Sequence, residues 1–191
     1  MSTQAGLETE VKIPLADAAA VRGQIEAVGF RVSVARSFES NTIYDTADQA
    51  LRQASMLLRL RQTGARCVVT WKGPGVPGPH KSRPEIETTV GSLESLDGIL
   101  RQLGYLPLFR YEKYRTEFTA AHETGSIVLD ETPIGDFLEL EGTGDWIDET
   151  AQRLGFSQQD YVLESYGKLY LNHCVKHDLH HSHMVFAKAV L

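Results

Sequence analysis

Charged and apolar residues alternate, one for one, along segment after segment of this chain. Glu8, Glu10 and Lys12 oppose Val11 and Ile13, and Arg59 and Arg61 oppose Leu58 and Leu60. Lys72 shares a parity with Thr70 and Val68 against Val69 and Trp71, while Glu85 and Glu87 flank Ile86. Lys113, Arg115 and Glu117 alternate with Tyr114, Thr116 and Phe118, Asp130 is set apart from Leu129, and Glu139 and Glu141 are set apart from Leu138 and Leu140. Side chains two apart on a strand share a face, so each segment has one charged and one apolar face. A single strand of this kind is an ordinary amphipathic strand whose wet charges form weak ion pairs. A whole set of them, with helices available to cover the apolar face, turns the charges inward. The expected fold is α+β: a closed eight-stranded antiparallel β-barrel, a tunnel lined by acids and bases, with helices packed on its outside. Buried ion pairs barely offset their desolvation, so such a lining points to function rather than stability.

The strands expected are Leu7–Ile13, Arg31–Tyr44, Ser55–Gln62, Arg66–Lys72, Arg83–Val90, Phe109–Ala121, Ser126–Glu131 and Phe137–Gly142. A unit recurs among them: Glu-x-Glu, a helical stretch, then Gly followed by an aromatic residue. The copies run from Glu8 and Glu10 through Ala16–Ala27 to Gly29-Phe30, from Glu85 and Glu87 through Leu93–Leu103 to Gly104-Tyr105, and from Glu139 and Glu141 through Trp146–Leu154 to Gly155-Phe156. Each stretch carries apolar residues at helical spacing and stops at a glycine suited to a left-handed cap. The Gly- and Pro-rich run Gly73–Pro79 cannot hold a ladder and is expected to be a mobile connection at the tunnel mouth. Its spacing to Lys81, and its three prolines, exclude a P-loop. Trp71 and Trp146 are expected in the core.

Residues 1–172 are expected to form the one barrel domain, followed by a His-rich tail over 173–191. His173 and His177 have the spacing of helical metal ligands, but no carboxylate motif accompanies them, so a solvated tail is expected. Nineteen Lys plus Arg against 25 Asp plus Glu give a formal charge of −6, which excludes a broad grip on nucleic acid. Apolar runs are too short for a membrane span and the first residues do not read as a signal peptide, so a cytoplasmic protein is expected. Cys67 and Cys174 are far apart and read as reduced thiols. A homodimer is one assembly open to such a chain.

Clustered carboxylates suit Mg²⁺ or Mn²⁺, which prefer oxygen ligands and share them with substrate phosphates. Arg and Lys from other strands suit the oxygens of a highly charged anion. Acids alone would repel a polyphosphate and bases alone would not place a metal; together they suit a metal-bound, triphosphate-containing small molecule.

Glu8-Thr9-Glu10-Val11-Lys12 resembles the Glu-x-Glu-x-Lys signature of the CYTH superfamily, the triphosphate tunnel metalloenzymes. Tyr44-Asp45-Thr46, Leu58–Arg61, Thr70–Pro74, Arg83–Glu87, Lys113–Arg115, Leu129-Asp130, Phe137–Glu141 and Ser165–Lys168 extend the resemblance over about residues 7–171. The resemblance implies metal-site carboxylates at Glu8, Glu10, Glu139 and Glu141, with Glu85, Glu87 and Asp130 supporting the metal or orienting water. It implies a phosphate-binding set of Lys12, Arg59, Arg61, Lys72, Lys113, Arg115 and Lys168. Lys81, Arg83 and Arg110, at strand ends or beside the flexible loop, stand outside that set. The activity it implies is metal-dependent hydrolysis of inorganic triphosphate or of an organic or nucleoside triphosphate. The alternatives are a class IV adenylyl cyclase making cyclic AMP and pyrophosphate, and a non-catalytic polyphosphate-binding module.

Overall fold

A computed structural model describes residues 6–187; the first five residues and the last four of the His-rich tail, on which part of the reading above falls, lie outside the described residues. The elements are β1 (Gly6–Leu15), α1 (Ala18–Ala27), β2 (Arg31–Asp45), α2 (Ala50–Gln53), β3 (Leu57–Thr63), β4 (Arg66–Lys72), β5 (Lys81–Val90), α3 (Leu93–Gln102), β6 (Leu106–Thr119), β7 (Ser126–Thr132), β8 (Gly135–Glu141), α4 (Gly144–Arg153) and α5 (Tyr166–Lys176). The eight strands close into a barrel in the order β1-β5-β4-β3-β2-β6-β7-β8, every neighbouring pair antiparallel. Closure leaves no unpaired edge, which lets every strand spend one whole face on the lumen.

The recurring unit is real structure. Asp17, Ser92 and Thr143 cap the starts of α1, α3 and α4 through their side chains. Each helix ends on a glycine at positive φ, +100° at Gly29, +87° at Gly104 and +81° at Gly155. The following aromatic residue's N–H returns to the last turn, as from Phe30 to Ile25, Tyr105 to Leu100 and Phe156 to Ala151. That return folds each helix back onto the barrel's outer face. Val11, Ile13, Leu138 and Leu140, the apolar parity of β1 and β8, pack there with Val21, Ile25, Trp146 and Ile147. Leu60 and Tyr44 pack with Leu100 of α3 in a second cluster. Trp146 is a core residue as expected; Trp71 is only half-buried, and its ring tip lies 3.0 Å from where a Cβ on Gly73 would stand.

Two features differ from the sequence reading. The Gly- and Pro-rich run is tied down: Val76 donates to the Ser82 carbonyl at 2.7 Å, Gly73 to that of Pro84 at 2.8 Å, and His80 meets Asp148 of α4 at 2.9 Å. The chain after residue 172 is also engaged. The proposed division at 172/173 falls inside α5, and Met184, fully buried, exchanges backbone hydrogen bonds with Arg110 and Glu112 of β6.

Trp146 fits only because two glycines make room. A Cβ at Gly125 would lie 2.5 Å from the Trp146 ring and 2.6 Å from the Glu141 carbonyl oxygen, and neither can yield. Gly125→Ala is expected to cost about 1–3 kcal/mol in chemical denaturation. Gly23→Ala, in a helix with nothing within 4 Å of the new methyl, should instead be neutral or mildly stabilising.

Candidate active site

The inward parity of the strands encloses a cavity of about 1620 Å³. On one wall, β1 and β8 pair Glu10 directly with Glu141, and Glu8 lies one step along the same face. Carboxylate oxygens of Glu8, Glu10 and Glu141 all lie within 4.8 Å of one another. Cations brace two of them. Lys72 Nζ donates to Glu8 at 2.5 and 2.6 Å, Lys12 Nζ to Glu10 at 2.8 Å, and Lys81 Nζ to Glu10. Glu141 makes no ion pair or side-chain hydrogen bond among the described residues. Burial raises its pKa, the nearby Arg115 lowers it, and Glu139, Glu10 and Glu8 raise it further, leaving it at about 7. For Glu10, burial opposes ionisation, but the fields of Lys12, Lys81 and Lys72 outweigh it and hold the carboxyl well below the usual range. Lys81 is pushed down to about 8 by burial and by the like charges of Lys12 and Arg83.

Such a set of hard oxygen donors, one of them left without a cationic partner, fits a divalent cation of the Mg²⁺ or Mn²⁺ kind. Glu8, Glu10 and Glu141 would hold it. Glu139, expected among the ligands, lies outside this group. It accepts from Lys12 at 3.1 Å and from Arg115, which keep it ionised below its ordinary pKa despite burial.

The opposite wall is basic. Arg59 and Arg61 of β3 reach in, with Arg61 3.1 Å from Glu87 and Arg59 donating to Thr70 at 3.2 Å. Between the two walls, on β7 where that strand pairs with β6 on one side and β8 on the other, Asp130 is wholly buried and accepts from Lys113 at 2.7 Å, from Arg115 through both oxygens at 2.8 and 2.7 Å, and from the Tyr166 hydroxyl at 2.8 Å. Tyr166 opens α5 just after its N-cap Ser165 and projects into the barrel. Lys12 and Lys113 each stand 5.3 Å from its ring centre.

The structure thus gathers Glu8, Glu10, Lys12, Arg59, Arg61, Lys72, Glu85, Glu87, Lys113, Arg115, Glu139, Glu141 and Lys168 around one cavity, with Asp130 behind Lys113 and Arg115. Their roles separate. Glu85 braces Lys72 at 3.0 Å, Glu87 sits at the more open rim against Arg61, and Lys168 is exposed at the mouth on α5. Asp130 orders the cations and is not one of the clustered carboxylates. Arg83 and Lys81, set aside in the sequence, line the cavity, whereas Arg110 points outward to Glu112. Sequence reasoning missed Glu39, Tyr111 and Tyr166. Glu39 of β2 stands 3.6 Å from Arg61 and 3.7 Å from Lys113, whose charges, with those of Arg115 and Arg59, overcome burial and bring its pKa to about 2.

The fold and this lining define a class: a closed antiparallel barrel whose lumen joins a carboxylate cation site to a bed of arginines and lysines. A family model described as the CYTH domain matches residues 6–166, and the chain belongs to that family. A Methanocaldococcus jannaschii protein named "putative adenylate cyclase" is 28% identical over 135 residues, which cover 71% of this chain and 76% of that protein. A solved Vibrio parahaemolyticus protein of the same provisional name superposes with a TM-score of 0.77 at 23% identity, covering 87% of this chain and 98% of its own. A Hippeastrum protein, provisionally named an adenylyl cyclase and described with a dominant triphosphatase activity, superposes with a TM-score of 0.62 at 15% identity, covering 92% and 97%. At these identities the solved structures establish the fold alone. Among the described residues no helix is long and apolar enough to cross a membrane.

Proposed function

We propose that this chain hydrolyses a triphosphate held with a divalent cation inside the barrel. The reading is carried by one observation: the acidic triad and the cationic wall line a single cavity inside the barrel. Arg59, Arg61 and Lys113 offer donors to phosphoryl oxygens, and these donors are already fixed by Thr70, Glu87 and Asp130, so little reorganisation is needed when charge develops. Lys12 and Lys72 neutralise Glu10 and Glu8, whose carboxylates stay ionised and ready to ligate. A bound Mg²⁺ or Mn²⁺ would supply further charge neutralisation at the phosphate oxygens. The ligand proposed is a small triphosphate, with no nucleic-acid partner.

Cyclisation of ATP is a second reading, supported by the name of the M. jannaschii relative and by one feature of the cavity. Beyond Arg59 its wall turns apolar at Ile43, Met56, Leu57, Phe109 and Tyr170, a surface able to stack a base. The assay separating the readings incubates the purified protein with inorganic triphosphate, ATP or thiamine triphosphate, each with Mg²⁺ or Mn²⁺, and resolves the products. Orthophosphate release is expected. Cyclic AMP with pyrophosphate would overturn hydrolysis, and binding without turnover would leave a polyphosphate-binding module.

A further inference from the structure

We propose that Tyr111 is a catalytic residue, the base that takes the proton from the attacking water; the inference rests on the hydrolytic reading above. Tyr111 lies on β6 two positions before Lys113 and lines the cavity with only 7% of its surface exposed. Its hydroxyl oxygen accepts from Arg59 Nη1 at 3.3 Å, and its own proton finds no acceptor among the described residues. The neighbouring carboxylates are otherwise engaged: Glu39 with Arg61 and Lys113, Glu87 with Arg61 and Thr70, and Asp130 with Lys113, Arg115 and Tyr166. That leaves the phenol as the oxygen acid in the cationic wall with a proton free to exchange.

The groups around it favour the phenolate. Arg59 and Arg61 face it from β3, Lys113 from its own strand, Glu39 and Asn41 from β2, and the Tyr166 ring from α5 at 6.2 Å; Met184 covers the backbone behind it. Burial by itself raises a phenol's pKa, but Arg59, Lys113 and Arg61 outweigh it and bring Tyr111 below its ordinary value of 10.0. No metal-site carboxylate touches it. In the step, one O–H bond of water breaks and the proton bonds to the Tyr111 oxygen, while the water oxygen forms a bond to the terminal phosphorus. The bridging P–O bond breaks, and its electron pair departs on the diphosphate leaving group, whose charge meets the surrounding lysines and arginines. Tyr111 then returns its proton to solvent.

The test uses whichever of inorganic triphosphate, ATP and thiamine triphosphate the wild-type protein turns over fastest, and follows orthophosphate against pH. For the wild type, kcat/KM is expected to rise with pH along a limb set below the ordinary phenol value, and the limb in kcat to lie higher because bound triphosphate disfavours the phenolate. Tyr111→Phe is expected to lose kcat by about 100-fold, with KM within a few fold, and to lose that limb. Because the phenyl ring could disturb packing, 3,5-difluorotyrosine at position 111 serves as the second variant; its more acidic phenol should move the limb to lower pH with the fold unchanged. Near wild-type turnover in Tyr111→Phe, or an unmoved limb in either variant, overturns the base role while leaving hydrolysis intact. Cyclic AMP as the wild-type product overturns both.

Discussion

Asp130→Ala is expected to destabilise the protein by about 3–5 kcal/mol and to lower its melting temperature by on the order of 10 °C. Asp130 is fully buried and holds Lys113, Arg115 and the Tyr166 hydroxyl at once. Removing it leaves buried Lys113 with Glu39 at 3.7 Å and Arg115 with Glu139, so most of the desolvation that the shared anion offset then falls on the fold. Tyr166 also loses its acceptor, so the first turn of α5 should loosen and protection of its amides from exchange should drop. Arg22→Ala is the contrast. Its partner Glu26 is one helical turn away and both side chains are 47% exposed, so the change should be about 0–1 kcal/mol. Equal effects from the two substitutions in thermal and denaturant unfolding would mean that the inner network is not enclosed.

Glu141→Gln is expected to have opposite effects on stability and activity. The carboxyl has no cationic partner among the described residues, and its pKa is raised from 4.5 to about 7. Between those values the folded protein keeps a proton that the unfolded chain has released, so the metal-free protein loses stability as pH rises through that window and is least helped above it. Gln removes that penalty, and above pH 7 the metal-free variant should gain about 1–2 kcal/mol, discounted for contact with lumen water. It also removes a charge from the triad, and turnover with Mg²⁺ or Mn²⁺ should fall by at least about 100-fold. Divalent cation should raise the wild-type melting temperature and leave that of the variant unmoved. A variant that is less stable without metal and still active would place the cation elsewhere.

Most of the barrel was legible because parity is a local property. Once Glu8, Glu10, Lys12, Glu139 and Glu141 are assigned to one face, closure follows from needing somewhere to put them. Parity also had Lys113 and Arg115 facing inward, and one further step back along the same strand would have reached Tyr111. Glu39 was hidden for a physical reason. Register shifts between Val32 and Val34 and between Val34 and Ser37 interrupt the alternation of β2, so no continuous pattern leads to it. Lys81 and Arg83 share the parity of Glu85, but the prolines and glycines upstream obscured where the strand begins. Tyr166 starts a helix, and no local period says that a helix terminus enters a barrel. The ligand role expected of Glu139 was not decidable locally either: Lys12 and Arg115, brought beside it only when β6, β7, β8 and β1 close, claim that carboxylate.

The central claim is that one lumen binds cation and triphosphate together, on opposite walls. Crystals grown with Mn²⁺ and a non-hydrolysable triphosphate analogue, recorded at a wavelength where manganese scatters anomalously, test it directly. The expected result is a manganese peak among Glu8, Glu10 and Glu141, with phosphates reaching across to Arg59, Arg61 and Lys113. Manganese or the analogue seated on the barrel's outer surface, with the lumen holding only water, would contradict it.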